Sequence, residues 1–124
     1  IKVKLGNSAS RLASEYGTTL KCIEKLNGDV SSLKVGQSLK VMDHPQFRLS
    51  VYRKTGIADL YLDGRFFKRY YLLGEVTGQD GSYTFTANTR ALLSSKGVKL
   101  VAKDVSELEM LLPKGANMTI ADFR

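Results

Sequence analysis

Turn residues cut the first 42 residues of this chain into short segments, and that punctuation confines them to a compact strand–helix–helix–strand unit. Ile1, Val3 and Leu5 alternate with Lys2 and Lys4, the period-two pattern of a half-buried strand. Gly6-Asn7 breaks it, and Ser8 predicts the N-cap of a helix over residues 9–16, with Leu12, Ala13 and Tyr16 on one side. Gly17 ends that helix as a residue tolerant of positive φ. Thr19 then caps a second helix, whose expected buried stripe is Leu20, Ile23 and Leu26. Asn27-Gly28-Asp29 and Val35-Gly36-Gln37 are turns, the second leading into a closing strand over residues 39–42. The two strands are expected to pair while both helices cover one face.

The remainder changes character. Residues 47–51 and 57–62 read as strands, and Asp63-Gly64 is a hairpin turn into a third strand over 66–73. Strict alternation along that third strand places Phe67, Arg69, Tyr71 and Leu73 on one face and Phe66, Lys68, Tyr70 and Leu72 on the other. Short strands are expected at 83–87 and 98–102. A short helix follows, capped by Asp104 or Ser106 and carrying Leu108, Leu111 and Leu112. Pro113-Lys114-Gly115 stops it before a last strand over 118–121. The expected fold class is α+β: a βααβ module at 1–43, then a small β-rich, sandwich-like domain at 44–124 with one short helix. An unpaired edge at 66–73 would invite strand pairing.

Composition narrows the chemistry. One cysteine excludes an internal disulfide framework and a CxxC zinc site, and one histidine leaves little for nucleophilic or metal catalysis. No metal site and no cofactor is expected. The net charge of +7 is diffuse, +3 up to Asp43 and +4 beyond it, with nothing longer than Arg53-Lys54 or Lys68-Arg69. Nucleic-acid binders concentrate their charge on a stripe, so no nucleic-acid partner is expected. Diffuse charge suits a polyanionic matrix, a membrane surface or plain solubility alike. No apolar run approaches the ~20 residues of a membrane span. The start at Ile1 without Met is expected of a processed or trimmed chain, so missing targeting information is uninformative.

The order Lys4-Leu5-Gly6-Asn7-Ser8, Leu12-Ala13, Tyr16-Gly17-Thr18-Thr19, Ile23, Leu26-Asn27, then Leu33-Lys34-Val35-Gly36-Gln37-Ser38-Leu39 and Val41 resembles a LysM module. The likeness covers residues 1–42. It departs from the family at Asn7, where Asp is usual, and in lacking the aromatic that often precedes the first strand's Val. The resemblance implies binding of N-acetylglucosamine-containing glycans, peptidoglycan or chitin, in a shallow groove between two loops. By position these are Gly6, Asn7, Ser8 and Ala9, and Leu26, Asn27, Gly28, Asp29 and Val30. Small residues in short loops let backbone groups approach an N-acetyl group. Taken singly, Gly6 and Gly28 are equally turn glycines and Ser8 equally a cap. A single module is expected to bind weakly, without the multivalency of a tandem array.

Phe47-Arg48-Leu49, then residues 60–70, are similar to the opening hairpin of an L,D-transpeptidase domain, and Gly81-Ser82-Tyr83-Thr84-Phe85 to its Gly-Thr-Tyr/Phe-x-Ile strand. Residues 106–115 with Met118-Thr119-Ile120 resemble its closing helix and strand. The centre departs. That family needs a Cys thiolate within Ser-x-Gly-Cys-Ile/Val-Arg-Leu and an upstream His-Gly. Here the nearest stretch is Ser95-Lys96-Gly97-Val98-Lys99-Leu100, one residue short and without the nucleophile. Ser95, Gly97, Val98 and Lys99 are thus read as a degenerate motif, and no catalytic residue is assigned.

Other catalytic sets are weaker. Cys22 falls mid-helix in the first part, where free cysteine is usually a buried hydrophobe, and His44 falls in the linker. Asp59 with Asp63 and Glu107 with Glu109 are the nearest carboxylate pairs, with a turn residue and a solvated helix face as the simpler readings. Tyr61, Tyr70, Tyr71 and Phe67, interleaved with Arg65, Lys68 and Arg69, form either a sugar- or peptide-binding face or core aromatics with flanking charge. The expected function is that of a non-catalytic, periplasmic, cell-wall-associated or secreted protein of bacterial type, binding peptidoglycan-type glycans through LysM. A pseudoenzyme domain would serve as scaffold or binding surface. The alternative is a cell-wall-modifying enzyme with an unrecognised site.

Overall fold

The hydroxyls of Ser8 and Thr19 set where the first two helices begin. In the computed structural model, which describes residues 1–86 and 88–123, Ser8 Oγ accepts from the Arg11 amide at 3.2 Å and Thr19 Oγ1 from the Cys22 amide at 3.0 Å. These caps satisfy amides that a helix start otherwise leaves unpaired. Helix α1 spans Ala9–Glu15 and α2 spans Leu20–Asn27. Gly17, at φ +62°, turns the chain between them.

Both helices belong to one compact unit, Ile1–Pro45. Its core is Val3, Ala9, Leu12, Ala13, Ile23, Val30 and Leu39, with Tyr16, Leu33 and Val41 packed against it. The two extended ends do meet, but neither the first strand nor the closing strand expected over 39–42 forms as a ladder. One antiparallel bridge joins Lys2 to Ser38, supported by hydrogen bonds from the Val3 amide to Gln37 O and the Leu39 amide to Ile1 O, each 2.8 Å. Four residues expected inside are exposed here, Ile1 and Leu20 among them. Leu5 is 91% exposed and Leu26 40% exposed, because the chain turns away at Gly6 and α2 ends at Gly28. Cys22 and Ile23, not Leu20 and Leu26, supply the inward face of α2.

The second unit, Gln46–Arg124, is built on one five-stranded sheet. Its strands are β1 (Phe47–Tyr52), β2 (Ile57–Leu62), β3 (Arg65–Tyr71), β4 (Gly81–Thr84) and β5 (Asn117–Ala121), in the order β3-β2-β1-β5-β4. The expected sandwich is therefore a single mixed sheet. β1 pairs antiparallel with β2 and parallel with β5, a contact between chain segments far apart in sequence. Asp63 at φ +52° and Gly64 at φ +83° form the β2–β3 turn, both in the left-handed region a type I′ hairpin requires. Ala87, the last residue expected in the strand at 83–87, lies outside the described residues.

Two helices stand where one was expected. Helix α3 spans Thr89–Ser95, capped by Asn88, whose side chain accepts from the Ala91 amide at 3.0 Å. Helix α4 spans Ala102–Leu111 and starts after Val101 with no side-chain cap, not at Asp104 or Ser106. Residues 98–102 form no strand, although Val98 and Leu100 are buried.

One sheet face carries Leu49, Val51, Ala58, Leu60, Met118 and Ile120, all buried, and it is the helix side. Tyr70 and Lys68 of β3 share this side. Both reach Glu107 of α4, at 2.6 and 2.7 Å. Burial pushes the Tyr70 hydroxyl well above its ordinary pKa, and donating to the Glu107 carboxylate pushes it further. Burial alone would raise Glu107, but the hydrogen bonds from Lys68 and Tyr70 outweigh it and hold its carboxyl below the ordinary value.

A carboxyl whose pKa is lower folded than unfolded stabilises the fold above the unfolded value, ~4.3, and loses that contribution as pH falls through the folded value. Thermal unfolding followed between about pH 6 and 3 should thus show the second unit weakening on acidification. Glu107→Gln should flatten that dependence.

Candidate functional site

The two loops expected to form a groove rest on a common base. Ala9 from the first loop and Val30 from the second are both buried members of the first unit's core. Above that base the first loop turns at Gly6, φ +85°, and Asn7 holds it, accepting from the Lys4 amide through Oδ1 at 2.7 Å. Ser8 is committed to its cap. On the second loop Gly28 also sits at φ +85°, with open space where a side chain would project. Asp29 Oδ1 accepts from the Ser31 amide at 2.9 Å, and hydrogen bonds from Ser31 hold the exposed Asp29 carboxyl below its ordinary pKa.

The nine residues therefore divide by role. Ala9 and Val30 are core, Ser8 is a helix start, and exposed Gly6, Gly28 and Asp29 with half-buried Asn7 shape the loop backbone. Asn27 does something else. Its Nδ2 donates to Ile23 O and Lys40 O, and its Oδ1 accepts from the Lys40 amide, all at 2.8 Å. One amide thus pins the end of α2 to the closing segment, with every atom used inside the protein. Asn27→Ala is expected to cost about 1–3 kcal/mol through the unpaired backbone groups it leaves, read as a lower unfolding midpoint. Binding lost in that variant would report on folding. Leu5 and Leu26, which alternation and helical periodicity place inside, instead offer an exposed apolar side chain beside each loop. The turn at Gly6 was the available signal that Leu5 leaves the strand.

The stretch Ser95-Lys96-Gly97-Val98-Lys99-Leu100 of the second unit is a helix stop. The Gly97 amide donates to Ser94 O at 3.1 Å and the Val98 amide to Leu93 O at 2.9 Å, closing α3 with Gly97 at φ +69°. Ser95 Oγ donates to Leu92 O at 2.8 Å. Val98 is buried and Lys99 exposed, beside a depression of ≈330 Å³ lined by Ser94, Val98, Lys99 and Val105 among others. A Cβ at Gly97 would lie 2.5 Å from Thr77 Oγ1 and 2.9 Å from its backbone nitrogen. Gly97→Ala combines left-handed strain with that overlap, and about 2–4 kcal/mol of destabilisation is expected in chemical denaturation.

The remaining reactive groups are engaged elsewhere. Cys22 is buried with Sγ 4.0 Å from Met42 Sδ, while the exposed His44 ring lies 2.6 Å from Asp43 Oδ1. Asp59 is fully buried under Arg69, Asp63 accepts from the Gln46 amide, and Glu109 meets Arg90 at 2.7 Å. Among the described residues, no group of three or more His, Cys, Asp or Glu side chains is gathered to hold a metal ion. Nor is any helix among them long and apolar enough to cross a membrane.

Alternation along β3 is broken, and this re-sorts the aromatic residues. Leu60 faces Lys68 but Tyr61 faces Phe66, so Phe67 is an extra, bulged residue. The slip moves Phe66 onto the face of Tyr61, Arg69 and Tyr71, while Phe67 packs edge-on against Phe47, centroids 6.1 Å apart. Tyr70 and Lys68 are on the opposite, helix side. Of the residues weighed either as a binding face or as core aromatics with flanking charge, Tyr61, Arg69 and Tyr71 thus stand on one face and Lys68 and Tyr70 on the other, and Tyr70 is buried.

The family model of the LysM domain matches residues 1–41. That match supports binding of N-acetylglucosamine-containing glycans such as peptidoglycan by the first unit. Comparison with curated proteins finds no match for the chain.

Proposed function

We propose that this protein is a non-catalytic cell-wall protein that holds peptidoglycan-type glycan through the groove of its LysM domain, outside the cytoplasm. The observation that carries the reading is the LysM match over residues 1–41, on a unit whose two groove loops stand on one core. The groove binds an N-acetyl group through loop backbone at Gly6, Asn7, Gly28 and Asp29, with Leu5 and Leu26 as apolar flanks. With one module the affinity is weak.

The second unit is, in this proposal, a shortened L,D-transpeptidase-like domain retained as scaffold or binding surface. Support comes from the likeness of its opening hairpin and closing helix to that family. The chain's one cysteine and one histidine are Cys22 and His44, so residues 46–124 hold neither a thiol nor an imidazole. Acyl transfer by a thiolate needs both within hydrogen-bond reach.

Sedimentation with purified peptidoglycan, paired with mass analysis of incubated muropeptides, tests the proposal. Co-sedimentation at low salt with unchanged muropeptides is the expected result. Protein left in the supernatant contradicts the glycan-binding reading, and a new muropeptide product contradicts the non-catalytic one.

A further inference from the structure

The sheet face opposite α4 is polar, and one corner of it is built in an unusual way. Asp59 on β2 is fully buried, and Arg69 across the strand pair covers it, Nε to Oδ1 at 2.7 Å and Nη2 to Oδ2 at 3.1 Å. This bidentate pair holds the Arg69 guanidinium flat against the sheet. Among the described residues, Asp59 takes two of the guanidinium's five N–H donors, and the Arg69 side chain is 37% exposed. Beside it Arg48 lies over the Tyr61 ring, 4.8 Å from the centroid, and Phe66 stands edge-on to Tyr61 at 6.2 Å. Tyr71 is 67% exposed. Tyr61, Phe66, Arg69 and Tyr71 line a depression of ≈520 Å³, within the ~300–1,000 Å³ usual for small-ligand sites.

Apolar rings left in water beside pre-set guanidinium donors are the usual composition of a recognition surface. The charge selects the ligand. Asp59 neutralises Arg69, leaving Arg48 as the uncompensated charge among these six residues. A nucleic-acid strand needs a track of cations along successive phosphates, which this corner does not offer. One net positive charge with spare N–H donors fits an isolated carboxylate. Tyrosine rings supply a flat apolar platform with a hydroxyl at its rim, suited to the C–H face and hydroxyl groups of a pyranose.

We propose that this corner of the sheet is a second binding site, for a carboxylate-bearing saccharide. The sugar ring packs on Tyr71 and Tyr61, and its carboxylate is received by Arg48 and the free donors of Arg69. The choice of polymer rests on the function proposed above: a peptide-free glycan strand, in which neutral N-acetylglucosamine alternates with N-acetylmuramic acid bearing a free carboxylate, presents both chemistries.

The test titrates the full chain with two probes, a neutral N-acetylglucosamine hexamer and peptide-free peptidoglycan glycan strands. Arg48→Ala and Tyr71→Ala, singly and together, change exposed side chains that are not part of the core. The expected result for the double variant is a loss of about tenfold or more on the carboxylated strands, with hexamer affinity changed less than about twofold. Unchanged affinity for the strands overturns the site, as does an equal loss on both probes. An oligothymidylate that displaces the strands through the same two residues also overturns it, in favour of phosphate binding. If wild-type protein ignores the hexamer yet binds the strands through Arg48 and Tyr71, the second site stands and the LysM reading fails.

Discussion

An Ile23→Ala variant is expected to lose the fold of the first unit and its glycan binding together. Ile23 is fully buried in a cluster of seven core residues, none larger than leucine or isoleucine. Truncating a buried isoleucine to alanine removes about 2–5 kcal/mol. At ~0.05–0.15 kcal/mol per residue, a unit of this length holds on the order of 2–7 kcal/mol altogether. The loss is comparable with the whole. A small domain also buries a smaller share of its surface and has little to redistribute. Circular dichroism and glycan titration at 25 °C should both report the change. Native helix content with intact binding in this variant would mean the core lies elsewhere.

The second large effect is expected at Phe85. It is fully buried just beyond β4, and its backbone extends the pairing of that edge: its amide donates to Ala116 O and its carbonyl accepts from the Gly115 amide, both at 2.8 Å. Phe85→Ala deletes a ring from the core and removes about 3–5 kcal/mol. Against the ~4–12 kcal/mol expected of the larger unit, that shifts the urea midpoint strongly without abolishing the fold in every case. Binding of the neutral hexamer, which belongs to the first unit, should persist. Loss of hexamer binding in Phe85→Ala would show that the groove depends on the second unit.

What was legible in the sequence was local. Ser8, Thr19, Gly17 and Gly28 each act through a cap or a left-handed turn within a few residues, and the helices begin and end where they dictate. Asp63-Gly64 set the β2–β3 hairpin for the same reason. The failures are non-local or one residue in size. The parallel pairing of β1 with β5 has no short-range signature, so a single mixed sheet read as a sandwich. The bulge at Phe67 reverses the face of Phe66, a change that strict alternation cannot register. Residues 98–102 alternate as a strand would, yet of these Val98 and Leu100 alone are buried, and they pack without a ladder. Helix α3 was signalled by Asn88 before an Ala-Leu-Leu run, but seven residues make too weak a period to stand out.

The candidate groove was legible as a set of positions and not as a set of roles. Nothing in the order Leu26-Asn27-Gly28 says that the Asn27 amide is spent on Lys40 and Ile23. Its closing-segment partner is thirteen residues away, and the pairing exists only once α2 and the closing segment are in place. The same holds in part for Gly97: its left-handed φ of +69° is a local helix stop, but the overlap of a Cβ with Thr77 is set by a residue twenty positions away.

The central claim is that glycan is held by the loop backbone of the first unit at Gly6, Asn7, Gly28 and Asp29. Backbone amide chemical shifts of the full chain, followed while an N-acetylglucosamine hexamer is added, address it residue by residue. Movement concentrated at those four amides and their immediate neighbours, with residues 46–123 still, is the predicted result. An unperturbed first unit at saturating hexamer, or shifts confined to the second, would contradict it.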